Sequence, residues 1–545
     1  MKVELYNQIL RAGLTRRGVL KGAAATGSLA AMGGLVPGMA AADAHGDVRA
    51  AILQIPGVGA GSPTDADWQK VGEMCLGATK ASVAEGEFAG VELTFLGLNN
   101  QNLHNFLFRG FLKSWEAYTG AKINWVDLAQ ADYNPRLQQA IATGTVDFDI
   151  IEMGAPFEGD TAGKGLLDEM PDWVKAQIDM DDYVSYLKAP VGTWAGKTYR
   201  ITVDGDCHTF AYRKDYFGEG SISGMAEAPT TWQGVNAYSA AVKGQKDPLT
   251  GQDAVGYLDP LKGWGGFGFY FLEDRASAYA KHPADPAWLF DPDTMKPRVN
   301  NPAWVQAIQD VMDNIPNLPA DQINADPGTT AFQQFLAGTG SGICWWGDVG
   351  SNAKTSDSSV VGDVVGFSIN PGSEKVYNSK TGEWETPEGG NFAPNMAYLG
   401  WGIYVTNRVS GDEKKRKAAW SAAAHLGGKD ISLWTAAYPS GFQPYRNSHF
   451  NYEEWAAAGY DKAFVEDYLG SNADSYNHPN AAIEPRIPGI FQYYSVAEDE
   501  LAKGYAGQYA SAQETADAIA AAWEKITDQI GRDGQIALYK ASLGM

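Results

Sequence analysis

The chain has 545 residues, 44% hydrophobic and 12% aromatic, too many for one core and too apolar for disorder. Its net charge of −23 excludes nucleic acid as a partner, because a phosphate-binding surface must be basic, and it disfavours adsorption to anionic lipid. The one basic run, Lys414-Lys-Arg-Lys417, follows Gly-Asp-Glu and opens an Ala-rich stretch, as a solvated helix start does.

In chain order, residues 1–44 read as an address. Arg16 and Arg17 stand in Thr-Arg-Arg-x-x-Leu-Lys, ahead of a Gly/Ala-rich apolar segment, Pro37 and small residues ending at Ala42 or Ala44. That pattern is similar to a twin-arginine export signal, with Val19 where Phe is commonest. The segment is too Gly-rich and too short for the roughly 20 apolar residues of a membrane span. Its removal would leave a net charge of about −26 and, on this reading, a soluble periplasmic protein. The first cysteine is Cys75, so no lipidation signal follows. Three cysteines (75, 207, 344) cannot all pair; chains exported folded come from a reducing cytosol, so free thiols are expected, with a Cys207–Cys344 pair left open.

Residues 45–87 form a polar N-terminal extension with one helical stretch near Asp65–Leu76. Val91, Leu93 and Phe95 then alternate as on a strand, and Leu103, Leu107, Phe111 and Trp115 recur as on a helix. Ile123–Val126 predicts a second strand, Pro135–Ala142 a helix, and "VDFDIIEMG" a third strand with Val146, Phe148 and Ile150 on one face. This alternation implies a parallel α/β sheet with right-handed crossovers. Ligands bind beyond the carboxyl ends of such strands, which makes Asn99 and Glu152 candidates. Later come "YRITVDGDCHTFAYRKDYF", a Gly/aromatic stretch "GWGGFGFYF" containing Trp264, and a mostly helical region to Gly338. Strands follow at "GSGICWWGD", "VVGFSINPG" and "YLGWGIYVTN", the last carrying Trp401. A Gly/Pro-rich surface loop spans 371–395, and a helical tail has Ile519, Trp523, Ile526 and Ile530 on one face.

Sites for chemistry are missing. There is no His-Glu-x-x-His, no Cys-x-x-Cys and no Gly-x-Ser-x-Gly, and the seven histidines stand at no ligand spacing. "GDTAGKG" fails as a phosphate loop because Lys164 precedes Gly. No metal or cofactor is expected. The acid pairs Asp147/Asp149 and Asp204/Asp206 leave a glycosidase as the alternative class.

"FLKSWEAYTGAKINW", "ATGTVDFDIIEM", "AGKTYRITVDGDCHTFAYRKDYF", "PTTWQGVNAYSAAV", "FLAGTGSGICWWGD", "GWGIYVTN" and "GFQPYRNSHF", in this order, resemble the extracellular solute-binding proteins of ABC importers, in the family that binds sugars and polyols. The resemblance covers about residues 88–545. It implies an α/β, two-lobe periplasmic-binding-protein fold with crossing strands at a hinge, and no catalysis. Lobe 1 is expected over 88–205 and 347–400, lobe 2 over 206–346 and 401–545. It implies capture of a sugar or polyol by a monomer that docks on an inner-membrane ABC permease. Asp206, with Asp204, stands where the family often sets an acid against hydroxyls. On a strand, Trp345 and Trp346 point opposite ways; Trp346, sharing a face with Cys344 and Asp348, is the cleft residue expected here, and Trp345 the core one. Trp264 and Trp401 are further aromatic candidates. Arg446 either forks onto the ligand or pins its own loop.

Overall fold

Apolar residues at every second position make the first three strands, and a computed structural model, describing residues 65–98, 104–356, 358–437, 442–457 and 460–545, gathers them into one sheet. β1 (Glu92–Leu98) runs parallel to both β2 (Lys122–Leu128) and β3 (Ile150–Gly154). The third strand begins later than its alternation predicts. The Asp149 carboxylate accepts from the Thr94 N–H at 2.8 Å, a donor that a further strand residue would otherwise have taken. After β3 the chain passes through short helices and returns as the short β4 (Ile201–Thr202) at the edge of the sheet.

The chain then crosses to a second sheet. β5 (His208–Arg213) lies between β7 (Gly340–Trp346) and β8 (Val365–Ile369), antiparallel to both, while β6 (Val255–Tyr257) runs parallel to β7. The loop expected at 371–395 holds a hairpin, β9 (Val376–Asn378) and β10 (Glu383–Glu385). Lys375 lies over the Trp384 ring at 4.2 Å. β11 (Trp401–Val405) is back in the first sheet, whose order is β2-β1-β3-β11-β4.

This membership corrects the expected lobe boundaries. Residues 365–369 belong with lobe 2 and residues 401–405 with lobe 1. The turn after "CWWGD" is no crossing: the helix Val349–Thr355 returns the chain to the same sheet. Alternation marks a strand but not which sheet it joins. The crossings are instead the segments between β4 and β5, between β8 and β11, and between Arg446 and the helix Lys462–Tyr476, which packs on β8.

The N-terminal extension is also more than a prelude. Helix Asp65–Met74 lies along helix His104–Thr119, with Trp68 and Val71 fully buried. Trp68 sits where a Cβ on Gly110 would come within 2.1 Å of its own Cβ, so only glycine admits that approach. Its ring meets Phe111 and Trp434 edge-on at 5.6 and 5.2 Å. In lobe 2 the helices Ile490–Tyr505 and Ala512–Ile530 pack against Phe269–Ala280 and Pro302–Asn314. Of the predicted tail stripe, Ile519, Trp523 and Ile526 are buried, while Ile530, the last residue of its helix, is exposed. Among the described residues no helix is long and apolar enough to cross a membrane.

Candidate functional site

Three crossings meet at one place. Asp204-Gly205-Asp206 comes from the first, Tyr398-Leu399-Gly400 from the second, and Gln443 from the segment that leads into the third. Gln443 ties them together. Its backbone N–H donates to Asp204 Oδ1 and its Nε2 to Asp206 Oδ1, both at 2.6 Å, while its Oε1 accepts from the Gly347 N–H at 2.9 Å. The second crossing is strained. Tyr398, Leu399 and Gly400 have φ of 72°, 53° and 85°, all left-handed, an arrangement that surrounding contacts must hold in place. Those contacts are visible: the Gly400 N–H donates to Asp206 and the Tyr398 N–H to Glu484. The Tyr398 ring covers the end of β3, where a Cβ on Gly154 would fall 2.1 Å from it.

Aromatic rings form the walls. Tyr398 lies 4.9 Å from Trp401 of lobe 1 and 5.1 Å from Phe267 of lobe 2. Trp346 is half-buried, edge-on to His208 at 4.4 Å, with Tyr270, Phe267 and Trp264 between 6.0 and 6.3 Å. Its Nε1 donates to the Ala397 carbonyl at 3.3 Å, linking β7 to the second crossing. Trp345 takes the opposite side of the strand, stacked on Phe332 and Phe271 in the core. Trp264 rides on a Gly-rich turn whose shape is set by one carboxylate. Glu498 accepts from the N–H groups of Trp264 and Gly266 at 3.0 and 2.7 Å, and from that of Gly268.

The carboxyl groups here are held protonated more readily than usual. Burial, the leading cause, pushes Asp206 up to about 7 and Glu484 to about 8. Asp204 and Asp348 rise well above the usual carboxylate range, from burial and from repulsion by Asp206. Glu484 Oε2 accepts from the hydroxyls of Tyr270 at 2.8 Å and Tyr494 at 3.3 Å. His208 is held by Asp274, Nδ1 to Oδ2 at 2.8 Å, and Asn395 donates to the same carboxylate.

The sequence candidates therefore divide. Asp204, Asp206, Trp264, Trp346, Asp348 and Trp401 lie in or against this junction. Glu152 is buried at the carboxyl end of β3, with Oε2 3.4 Å from the Leu98 N–H. Asn99 lies outside the described residues. Asp348 reaches Asp206 by another route than expected: β7 ends at Trp346, and a turn at Gly347 rather than strand alternation carries Asp348 inward. Arg446 is a correction. Its guanidinium is fully buried between Tyr183 and Tyr445 and donates to the carbonyls of Ile178, Asp179 and Gly427 at 2.7–2.9 Å, so it pins its loop.

Reasoning from sequence missed Tyr398, Gln443, Glu484, His208 and Tyr270. Gln443 stands in the same segment as Arg446 and was passed over for the charged residue. Glu484, in "AAIEPRIPG", carries no local signal. The pair Asp147/Asp149 is structural: Asp147 pairs with Arg136, and Asp149 with Lys415 at 2.9 Å. The basic run at 414–417 is a helix start capped by the Asp412 side chain, with Arg416 paired to Asp168 and Lys417 to Glu87. All three cysteines are free and buried. Cys344 faces Phe210 across the sheet, whereas Cys207 precedes the residue opposite Trp346, so the two stand apart along the strands. Among the described residues no group of His, Cys, Asp and Glu forms a metal site.

Residues 111–459 match the family described as bacterial extracellular solute-binding protein. No curated protein matches in sequence. Solved structures share the fold. An ABC transporter solute-binding protein from Agrobacterium radiobacter K84 in complex with ribitol is 19% identical, with a TM-score of 0.62 over 81% of this chain and 99% of that one. A solute-binding protein from Agrobacterium vitis S4 with bound D-mannitol is 17% identical, with a TM-score of 0.58 and the same coverages. Maltose-bound MalE3 from T. maritima is 18% identical, with a TM-score of 0.60 over 80% of this chain and 100% of that one.

Proposed function

This chain belongs to the bacterial extracellular solute-binding proteins, and on that premise we propose that it captures a sugar or polyol between its lobes and delivers it to the membrane permease of an ABC importer. The observation that carries the reading is the meeting of three interlobe crossings at aromatic rings and buried carboxyl groups, with Asp206, Glu484, Trp346 and Tyr398 at its centre. Sugars and polyols have apolar C–H faces and a rim of hydroxyls, which flat rings and carboxyl oxygens match. Relatives of the same fold that hold ribitol, D-mannitol and maltose support that class.

Binding of this kind works by hinge motion: the lobes close, side chains from both meet the solute, and most of its surface leaves water. In this reading the protein acts as a monomer, without cofactor and without breaking a bond. Residues 1–44 send it by the twin-arginine route to the periplasm. Replacing Arg16 and Arg17 together by lysine would then leave the precursor inside the cell.

The test is a thermal-shift screen of the mature, dialysed protein against monosaccharides, disaccharides, polyols, glycerol and amino acids. A solute at 100 times its dissociation constant adds about 2.7 kcal/mol of stability. A rise with a sugar or polyol recovered unchanged supports the receptor. Consumption of the bound compound means a carbohydrate-cleaving enzyme, and a response to amino acids alone overturns the ligand class.

A further inference from the structure

We infer that the captured solute is positively charged: an amine-bearing polyhydroxy compound, such as an amino sugar or amino polyol, whose ammonium group sits among Asp206, Asp348 and Glu484. This rests on the receptor reading above and narrows its ligand class.

Elsewhere in this molecule several buried carboxylates are matched by buried arginines, while Glu498 and Asp160 accept from backbone N–H groups. Glu158 has Arg486 at 2.5 Å and Arg200 at 3.4 Å, Asp259 has Arg275 at 2.7 Å, and Asp247 has Arg213 at 2.8 Å. At the interlobe junction the pattern stops. Asp206 stands close enough to Asp204, Asp348 and Glu484 to raise the proton affinity of each, and none of the four is ion-paired with a lysine or arginine among the described residues. The nearby arginine that would suit an anion, Arg446, is turned onto backbone carbonyls.

A second observation points to a ligand rather than to acid crowding alone. Glu484 is 1% exposed and its Oε2 takes both tyrosine hydroxyls, while no side-chain partner reaches its Oε1. Asp348 Oδ1, also buried, has none either. Buried polar atoms are nearly always paired, so these two acceptors mark where donors belong. An ammonium offers three donors and a charge that draws the protons off these carboxyls, so it can meet several ionised oxygens at once, where a hydroxyl donates one hydrogen. Tyr270, whose hydroxyl meets Glu484, lies 6.0 Å from Trp346, and aromatic rings beside a cation attract it through their quadrupoles.

The experiment compares matched pairs on the mature protein by calorimetry at pH 7: D-glucitol against N-methyl-D-glucamine, and D-glucose against D-glucosamine. The expected result is an amine member bound at least about tenfold more tightly than its neutral partner, as a charge-assisted hydrogen bond exceeds a neutral one. Glu484→Gln, which keeps the shape and the tyrosine contacts, should erase most of that advantage while the melting curve stays cooperative. Equal or tighter binding of the neutral members overturns the charge inference and leaves the polyhydroxy receptor standing. A protein that answers no member of either pair, yet responds to amino acids, overturns both readings together.

Discussion

Replacing Gly400 by alanine should break the junction that joins the lobes. Gly400 has φ of 85°, where an L-residue costs about 1–2 kcal/mol more than glycine. The new Cβ would lie 2.1 Å from the Asp204 carbonyl oxygen and 3.0 Å from its carbon, both backbone atoms that move only with the whole first crossing. Moving it pulls Asp206 off the Gly400 N–H, and a hydrogen bond to an ionised group contributes about 1.5–3 kcal/mol. The sum is about 2.5–5 kcal/mol. Urea denaturation followed by tryptophan fluorescence measures it, with Gly411→Ala as the control. Gly411 has no heavy atom within 4 Å of its would-be Cβ and no positive φ, so that variant should stay within about 0.5 kcal/mol of the parent. The Gly400 variant should denature at clearly lower urea and bind its solute more weakly. Equal midpoints for the two variants would refute both the strain and the close contact argued for the second crossing.

Three other outcomes follow from the geometry. Trp68→Ala should destabilise lobe 1 by about 3–5 kcal/mol, because it empties a fully buried site between Phe111 and Trp434; a change under about 1 kcal/mol in urea melts would mean the extension is dispensable. Trp346→Ala should weaken solute binding tenfold or more with a cooperative melt retained, while Trp345→Ala should chiefly lower stability; titration and melting of both variants check this, and the reverse pattern refutes the assignment of faces. The solute-free protein should melt lower at pH 8 than at pH 6. Asp206 at about 7 and Glu484 at about 8 keep protons that the unfolded chain has released above pH of about 4, so stability falls as pH rises toward 8. Burial holds His425 down to about 4, so the unfolded chain takes up a proton below about 6.5, a single contribution that opposes the two carboxyls without outweighing them. A melting temperature that climbs steadily from pH 6 to 8 contradicts the raised carboxyls.

Much of this protein was written locally in its sequence. Alternation at Leu93 and Phe95 and fourfold spacing from Leu107 to Trp115 determine their elements, because a strand and a helix each impose a period that neighbours alone reveal. The opposite directions of Trp345 and Trp346 follow from the same rule. What tertiary structure decided is whatever depends on partners distant in the chain. Alternation in "GWGIYV" could not say that β11 joins β3 rather than β5, since the pairing lies in backbone hydrogen bonds that every strand offers alike. Charge made Arg446 a better candidate than Gln443, yet the fold buries the arginine among carbonyls of its own lobe and sets the neutral amide between the two acids. Glu484 lies 278 residues beyond Asp206 and gains its role only because a third crossing brings the chain back. Periodicity is a short-range property and can be read in order along the chain; a binding site joins groups from several crossings, and only the folded chain brings them within hydrogen-bond reach.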